Sequence, residues 1–472
     1  MKNRCAVRIH LTLLLLGAAC RSANTPRIAP AGSPGTAALM LQGGTLINPG
    51  AAPVPNANIA VENGRITCAG TNTACPRPAG ARVVDIAGAY VGPGLVDAHV
   101  HYSQTGWVDG RPDALNLRAQ YPYDSVVSAL ASHPERFHRA YLCSGVTTVF
   151  DVGGFPWTFE MARRTKAASD APRVVATGPL LSTIKIDPDM MGAFVFMKDE
   201  ATVRAAVRAH HWSGAEAVKV WYIPVPDSLR RHAKDMLMVA ANETRKVGLR
   251  LVVHATEPAS ASDAVEAGAA VLVHEVHTDT VSSALIATIK QAGTIVIPTL
   301  SVFAGYADVF LGRSPAARYP LDCVDPATRQ KLETILPDSL RAPGKAFWTS
   351  PAASQVDSNA GKNLKRMYTA GIPIAMGTDA GNPGTAHGPS VFGEMEAMQK
   401  AGMPARAVFA SATIVAARAL DLDKEIGSVE AGKRADLVVF GADPTVDARN
   451  ARQVRFVVRN GVLRTHDELM PR

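Results

Sequence analysis

Two histidines two residues apart, His99 and His101, are the first residues whose types and spacing suggest chemistry. They lie in the strand-like segment 95–101, and on a β-strand residues i and i+2 point to the same side. Two neutral imidazoles on one side can bind a divalent transition metal. Alone, the pair is equally compatible with two ordinary histidines at a strand end.

Three later polar residues follow apolar runs, where each could complete a metal site. His254 and His274 each follow a run of valine and leucine, and Asp379 follows the apolar run 374–376. A carboxylate at that place can bind a metal and take a proton from a bound water. A single histidine at a strand end is more often a satisfied polar residue than a ligand, but the recurrence favours ligands.

Lys219 interrupts the otherwise apolar segment 217–221. Because burying an ammonium group is costly, this lysine needs a physical reason. One interpretation is a side chain that reaches solvent or forms an internal ion pair. The other is carbamylation by carbon dioxide, which turns the amine into a carboxylate that can bridge two metal ions and removes the positive charge.

The elements that must position these residues alternate along the middle of the chain. Eight strand-like segments alternate with helix-like patterns such as 202–211 and 229–247. This alternation predicts an α/β fold with a (β/α)8 TIM-like barrel, in which the carboxyl ends of the strands converge on one face. The long interval 300–365 is expected to contribute to a lid. The predicted strands are 95–101, 146–152, 173–176, 217–221, 250–254, 270–274, 294–299 and 372–378.

Both ends of the chain have a different sequence pattern, in which short apolar runs are separated by turns. The pairs Asn63-Gly64 and Asn460-Gly461 are hairpin signals. We therefore predict a small β-sandwich domain built from residues 39–92 and 424–468, which encloses a barrel domain of residues 93–423.

The first residues have the pattern of an export signal. Lys2, Arg4 and Arg8 precede an apolar stretch too short to span a bilayer, so residues 1–19 are predicted to be a signal peptide. The small residues before Cys20 resemble a bacterial lipoprotein processing site, with ordinary cleavage nearby as the alternative. The predicted protein is periplasmic or anchored to a bacterial membrane through Cys20, with residues 20–38 as a flexible tether.

The distribution of charge indicates which class of partner to expect, and the positions of the cysteines indicate which of them could pair. The formal net charge is +8, but Lys and Arg are scattered without aromatic interleaving, so the sequence gives nucleic-acid binding little support. A small-molecule substrate is the expected partner, and the oligomeric state stays open. Cys68 and Cys75 flank a turn and either pair in an oxidising compartment or stay free, whereas Cys143 and Cys323 are expected to be plain thiols.

These motifs together resemble the amidohydrolase superfamily of metal-dependent hydrolases, over residues 39 to 465. The resemblance is strongest to the branch of prolidase-like and imidazolonepropionase-related enzymes. It rests on segments 92–101, 217–221, 377–379 and 427–439, together with His254 and His274.

The resemblance implies two divalent metal ions, expected to be zinc. His99, His101 and Asp379 would hold the first ion, and His254 and His274 the second.

The resemblance also implies that carbamylated Lys219 bridges the two ions together with a hydroxide. That hydroxide would attack a polarised substrate carbonyl, and Asp379 would pass the proton to the leaving nitrogen.

Substrate-binding residues are less marked in the sequence. Tyr222 follows the Lys219 strand and either donates a hydrogen bond to the tetrahedral intermediate, as a tyrosine does in similar enzymes, or is an ordinary loop residue. His387 is expected to line the pocket, and Trp107 and Arg111 are further candidates in the loop after the first predicted barrel strand.

The expected function is cleavage of an amide or peptide-like C–N bond, as in a dipeptidase, a prolidase-like enzyme or an N-acyl amino acid hydrolase. The H-x-x-E spacing of His254 and Glu257 raises an alternative, a mononuclear deaminase or cyclic-amide hydrolase of the same superfamily. Such deaminases lack a lysine ligand on the fourth strand, so Lys219 favours the two-metal hydrolase. A non-catalytic surface-anchored binding protein on this scaffold is a third possibility, disfavoured because all six ligand positions are filled.

Overall fold

A computed structural model describes residues 38–471 as a mixed α/β protein. The predicted signal peptide, Cys20 and nearly all of the predicted tether lie outside the described residues. Within residues 38–471, no helix combines the length and apolarity that a membrane crossing requires.

Seventeen β-strands are formed by residues 38–471. They are, in chain order, β1 (Leu39–Leu46), β2 (Val54–Glu62), β3 (Arg65–Thr71), β4 (Arg82–Asp85), β5 (Tyr90–Pro93), β6 (Leu95–Val100), β7 (Val146–Asp151), β8 (Arg173–Ala176), β9 (Leu180–Ser182), β10 (Phe194–Phe196), β11 (Ala217–Trp221), β12 (Arg250–His254), β13 (Val271–Val273), β14 (Ile295–Ile297), β15 (Leu437–Phe440), β16 (Val454–Arg459) and β17 (Val462–Thr465).

Fifteen α-helices lie between or after these strands in the same described range. They are α1 (Tyr123–Ser132), α2 (Glu135–Cys143), α3 (Trp157–Thr165), α4 (Glu200–Ser213), α5 (Asp227–Lys246), α6 (Pro258–Glu266), α7 (Ser283–Ala292), α8 (Leu300–Leu311), α9 (Pro326–Glu333), α10 (Asp338–Trp348), α11 (Pro351–Thr369), α12 (Ser390–Lys400), α13 (Ala405–Ala410), α14 (Ala416–Ala419) and α15 (His466–Leu469).

Strands from both ends of the chain join in one eight-stranded sheet. Its order is β17-β16-β15-β5-β1-β2-β3, with β4 alongside β1, and the antiparallel pair β5–β15 connects the two ends. Alternate apolar side chains of both ends, such as Leu41 and Val439, share one buried cluster. The expected joining of the two termini is present as a single hydrogen-bonded sheet, and the domain boundaries stay a prediction.

The middle strands form two parallel sheets whose residues are buried almost throughout. Their orders are β6-β7-β8 and β10-β9-β11-β12-β13-β14. Strands covered on both faces read as near-continuous apolar runs, as these do. The predicted eighth strand, 372–378, contributes only an isolated bridge from Ile374 to Val296, and Ala380 makes another to Val100. The two sheets do not close into one continuous ladder, so the complete barrel stays a prediction.

Local sequence explains where the regular elements begin and end. The predicted helices 202–211 and 229–247 correspond to α4 and α5. Asp199 caps α4 by accepting a hydrogen bond from the Thr202 backbone N–H at 2.8 Å, and Gly214 ends it with φ at +85°. Pro373 lacks the amide donor that a regular ladder needs, which accounts for the irregular eighth segment.

Two disulfides are present in the described part of the chain. Cys68 pairs with Cys75, which resolves the open alternative for these two residues. The expectation that Cys143 and Cys323 are plain thiols was wrong, because the end of α2 lies beside the loop before α9. Their Cα atoms are 5.7 Å apart, a distance that a disulfide spans, although 180 residues separate them in sequence.

Candidate active site

The carboxyl end of β6 brings His99 and His101 against Asp379. The Nε2 atoms of the two histidines are 3.3 Å apart, and Asp379 Oδ1 lies 3.3 Å from His99 Nε2 and 3.1 Å from His101 Nε2. All three side chains are buried. Two imidazole nitrogens and one carboxylate oxygen therefore converge on one point.

A second pair of histidines lies next to this group. His254 ends β12, His274 follows β13, and their ring centroids are 4.3 Å apart. His274 is also 4.9 Å from the His99 ring, measured between centroids. Because these strands are parallel neighbours, their carboxyl ends place the two rings at the same edge.

Lys219 points into the same cavity from the middle of β11. The cavity has a volume of about 290 Å³, and its walls include His101, Lys219, His254, His274 and Asp379. His99, the sixth predicted ligand, does not line the cavity but contacts His101 and Asp379, which do. Lys219 is only 1% exposed, and within residues 38–471 no carboxylate forms an ion pair with it. The structure thus brings the six predicted residues close together, and their role as metal ligands stays a prediction.

The backbone at the site is unusual. His274, Thr299 and Asp379 have φ values of +72°, +49° and +60°, a region that non-glycine residues other than Asn and Asp rarely adopt. Such conformations cost about 1–3 kcal/mol each and persist only where the surroundings impose them. His274 and Asp379 line the cavity and Thr299 contacts His274, which supports a functional role for this edge.

Hydrogen bonds fix the orientation of the rings. The Nδ1 atom of His101 is 2.7 Å from the Gly153 carbonyl oxygen, and His274 Nδ1 is 2.8 Å from Thr299 Oγ1. In His101 this leaves Nε2 directed at Asp379. Partners of this kind are what metal-binding histidines use to set their tautomer.

A buried carboxylate, Asp97, holds the loop that carries Asp379. Asp97 accepts hydrogen bonds from the Thr378 backbone N–H at 2.9 Å and from Thr378 Oγ1 at 2.6 Å. Burial raises the pKa of Asp97 to about 7, although these bonds lower it. Gly377 allows the loop to approach β6, since a Cβ there would lie 2.8 Å from the Cβ of His99.

Burial favours the neutral form of His99, His254 and His274, which is the form that binds metal. Burial lowers the pKa of His99 to about 3, and burial also lowers the pKa values of His254 and His274 well below the ordinary value. Burial alone would raise the pKa of Asp379, but His99 and His101 hold it well below its ordinary value. Burial lowers the pKa of Lys219 to about 7.

A network of hydrogen-bonded polar side chains, which the sequence did not reveal, holds Asp379 in position. Asn382 Nδ2 donates to Asp379 Oδ1 at 2.7 Å, while Asn382 Oδ1 accepts from Arg111 and from Tyr306 Oη. Arg111 thus lines the cavity, as expected. Tyr306 lies on α8, in the interval predicted to contribute to a lid. The only signal in the sequence for its role is its position among the aromatic residues of that interval.

Three other sequence-based expectations do not match the geometry. Tyr222 is buried and donates its hydroxyl to Asp263 Oδ2 at 3.0 Å, so it does not line the cavity as an intermediate-binding donor would. His387 is a core residue, with Nδ1 2.8 Å from Tyr141 Oη and its ring stacked on Phe137, and is absent from the cavity wall. Trp107 packs in a separate apolar cluster.

The H-x-x-E spacing also has a structural explanation. Glu257 is the N-cap residue of α6, where its backbone N–H donates to Ser260 Oγ at 3.1 Å. Its side chain lines a smaller neighbouring cavity with Tyr222. Glu257 is therefore not positioned in the cavity that holds the histidines.

The donor set fits divalent transition metal ions. His99, His101 and Asp379 offer three ligand atoms that lie within 4.8 Å of one another. The Nδ1 atoms of His99 and His254 are buried without a hydrogen-bond partner in the described structure. Neutral imidazoles with a carboxylate are ligands that zinc and similar ions favour.

Comparisons with known proteins find similar enzymes over most of the chain. Imidazolonepropionase of Caldanaerobacter subterraneus is 24% identical over 425 residues, covering 84% of this chain and 86% of the relative. A 5-methylthioadenosine/S-adenosylhomocysteine deaminase of Symbiobacterium thermophilum is 25% identical, covering 86% and 85%. The structure of a Xaa-Pro dipeptidase with bound methionine superposes with a TM-score of 0.69 at 22% identity, covering 91% of this chain and all of that one.

The family model described as "Amidohydrolase family" matches residues 90–464, which is most of the chain. This range contains every residue of the cavity wall. Members of this superfamily generally bind metal ions. The chain therefore belongs to the amidohydrolase family and is a hydrolase that acts on carbon–nitrogen bonds.

Proposed function

We propose that this protein hydrolyses an amide bond of a small molecule with two divalent metal ions, taken to be zinc. The observation that carries this proposal is the meeting of four histidines, Asp379 and Lys219 at one end of one cavity. His99, His101 and Asp379 would hold one ion, and His254 and His274 the other. Such ions supply Lewis-acid activation of a carbonyl and of water.

Lys219 completes the proposed ligand set as its carbamate. The support is its burial, its lowered pKa and the lack of an ion pair within residues 38–471. A neutral amine is the form that reacts with carbon dioxide. The carbamate would turn a buried positive charge, which forms no ion pair within residues 38–471, into a ligand for metal cations.

Asp379 is the residue that we propose moves the proton. Its Oδ1 is engaged by His99, His101 and Asn382, while its Oδ2 has His274 Nδ1 at 3.8 Å as its nearest ion-pair contact. Oδ2 is therefore the oxygen that we assign to accept a proton from the attacking water and to pass it to the leaving nitrogen. Asn382 and Arg111 keep the carboxylate oriented for this transfer.

An Asp379→Asn variant tests this role. Asparagine tolerates a positive φ, so the variant should fold, and we expect kcat on an amide substrate to fall by about 10²–10⁴, the usual contribution of acid–base catalysis. Asp421→Asn is the matched control, because Asp421 also has a positive φ of +58° but is exposed and outside the cavity. Equal activity of both variants would contradict the role of Asp379.

A mononuclear deaminase is the second candidate, favoured by the 25% identical deaminase relative. It requires an acid/base glutamate, for which Glu257 is the sequence candidate. Release of ammonia from a purine nucleoside by protein with one metal per chain, abolished in Glu257→Gln, would support this alternative. Amide hydrolysis that survives in Glu257→Gln would exclude it.

We also propose that the enzyme acts after export, anchored through lipidated Cys20. The support is the basic and apolar pattern of residues 1–19 together with two disulfides in the described chain, since disulfides persist in oxidising compartments. Expression of the full chain and of Cys20→Ala, followed by fractionation, tests this. Membrane association of the wild type that is lost in the variant is expected, and cytoplasmic retention of both would refute it.

A further inference from the structure

The cavity that contains the predicted ligands is lined by aromatic and apolar residues from two sets of elements. One side is built from strands β9 to β11 and the following loop, and the other from α8 and α10. The residues are Leu180, Phe194, Trp221, Ile223, Phe303 and Trp348.

Aromatic pairs order both sides. Phe194 and Trp221 have ring centroids 5.3 Å apart, and Phe303 and Trp348 have centroids 6.2 Å apart. The Trp221 ring is also 6.3 Å from the His254 ring, so the aromatic wall reaches the proposed metal ligands. Paired rings of this kind accept a flat apolar group by stacking and edge contacts.

The charges on the cavity wall disfavour a cationic group. Asp379 is the only carboxylate in the wall within the described chain, and it is already in contact with His99, His101 and Asn382. A substrate ammonium group would therefore be buried without a free counter-charge, which is unfavourable.

Two polar groups of the wall remain available to a ligand. Arg111 uses three of its five N–H donors, two on Asp113 and one on Asn382, so two remain for an anionic oxygen. The Oε1 atom of Gln104 is buried and has no partner in the described structure, so it can accept a hydrogen bond from an amide N–H.

We infer that the preferred substrates are N-acylated amino acids with an aromatic side chain, rather than dipeptides with a free amino group. This rests on the proposed amide hydrolysis. The aromatic side chain would pack between the Trp221 and Trp348 sides, Arg111 would meet the carboxylate, and Gln104 would accept the amide N–H. Water cleaves the acyl–nitrogen bond, its oxygen staying with the carboxylic acid and its hydrogens completing the acid and the amine.

Two matched pairs of compounds test the inference on the zinc-loaded wild-type enzyme. N-propionyl-L-phenylalanine and L-alanyl-L-phenylalanine differ only by the amino group, and at pH 7 we expect kcat/KM to be at least about tenfold lower for the dipeptide. That gap should narrow above pH 8, where the ammonium loses its proton. N-propionyl-L-alanine, which lacks the ring, should be about thirtyfold poorer than the phenylalanine compound.

Trp348→Ala should reduce the preference for the aromatic compound about tenfold. Trp212→Ala is the matched control, because Trp212 is 84% exposed on the surface and should leave the preference unchanged. Equal rates for N-propionyl-phenylalanine and alanyl-phenylalanine, or an unchanged preference in Trp348→Ala, would overturn the inference.

A binding measurement separates this inference from the proposed function. If no compound is hydrolysed, the proposed function fails, and calorimetric titration of the same compounds into the same protein decides the inference. Tighter binding of N-propionyl-phenylalanine than of either partner compound, weakened in Trp348→Ala, would support the substrate class. Equal affinities for all three compounds would refute it.

Discussion

Replacing Lys219 by methionine is the perturbation whose consequences follow most directly from the structure. Methionine keeps the length and apolar character of the side chain but can be neither protonated nor carbamylated. If Lys219 were only a packed residue, Lys219→Met would be neutral or stabilising, since it removes a buried charge. If Lys219 becomes a metal ligand, the variant loses metal and activity while staying folded.

The lowered pKa of Lys219 determines how much neutral amine is present and how strongly the protonated amine destabilises the folded state. Burial moves the pKa from 10.5 to about 7, so about half of the amines are neutral at pH 7, against about three in ten thousand for a free lysine. This is on the order of a thousandfold gain in the form that reacts with carbon dioxide. It also means that protonated Lys219 destabilises the metal-free folded state by about 5 kcal/mol.

The direction of the pH dependence follows from that shift. Because the pKa of Lys219 is lower in the folded state, the unfolded state binds more protons between pH 7 and 10.5. The free energy of unfolding of metal-free, carbon-dioxide-free protein should therefore rise with pH in this window. Between pH 7 and 9 the gain is about 2 kcal/mol, and below pH 7 the penalty is fully present.

This gain is measured by urea unfolding of metal-free wild type and of metal-free Lys219→Met at pH 7 and pH 9. The difference between the two proteins cancels the contributions of the other titrating groups to the free energy of unfolding. In parallel, metal uptake is measured with and without bicarbonate. We expect a steeper pH slope in the wild type, and bicarbonate-dependent metal uptake that the variant lacks. Identical slopes together with equal metal content and activity would refute the reasoning.

Four further variants test residues at the site and elsewhere in the fold. Cys143→Ser opens a disulfide that closes a 180-residue loop, so it should cost up to about 5 kcal/mol and lower Tm, and an unchanged Tm in calorimetry would contradict the cross-link. Asn382→Ala removes a hydrogen-bond donor to an ionised carboxylate, a bond worth about 1.5–3 kcal/mol. We therefore expect kcat to fall about 10–100-fold while the circular dichroism spectrum stays unchanged. An unaltered kcat would show that this hydrogen bond is dispensable. Tyr222→Phe should leave kcat/KM unchanged because the hydroxyl pairs with Asp263, and loss of activity in this variant would restore the predicted substrate role of Tyr222. His387→Ala should lower Tm without changing KM, because His387 packs in the core.

The convergence of the proposed ligands could be predicted because the sequence signal for each of them is local. His99 lies one residue before the end of β6, His254 ends β12 and His274 follows β13, and parallel strands place such positions at a common edge. Lys219 was recognisable because a charge in an apolar strand conflicts with burial. The position of a residue on a strand thus specified which side chains would meet.

Other features were not predictable because they depend on where side chains point across the fold. Tyr222 directly follows β11, but its neighbours Trp221 and Ile223 face the cavity while its own hydroxyl reaches Asp263. The disulfide of Cys143 joins residues whose separation in sequence carries no signal. The role of Asn382 depends on tertiary contacts that spacing alone does not reveal.

The same dependence explains the errors in regular structure. Strands β9 and β10 have three residues each, too short for an alternating pattern to stand out. The segment 372–378 is apolar like a strand, but its proline and its turn into a left-handed Asp379 limit it to an isolated bridge. Apolar patterning indicated where these segments are buried but not how they pair.

Titration of metal into chelator-treated protein, with amide hydrolysis recorded at each step, shows whether the activity depends on metal and on how many ions. We predict that activity on N-propionyl-L-phenylalanine is lost on metal removal and returns in proportion to zinc, levelling at two ions per chain, and that His101→Ala does not recover. Hydrolysis that persists in metal-free protein, or full activity with His101→Ala, would contradict the proposal that this cavity is a metal-dependent amidohydrolase site.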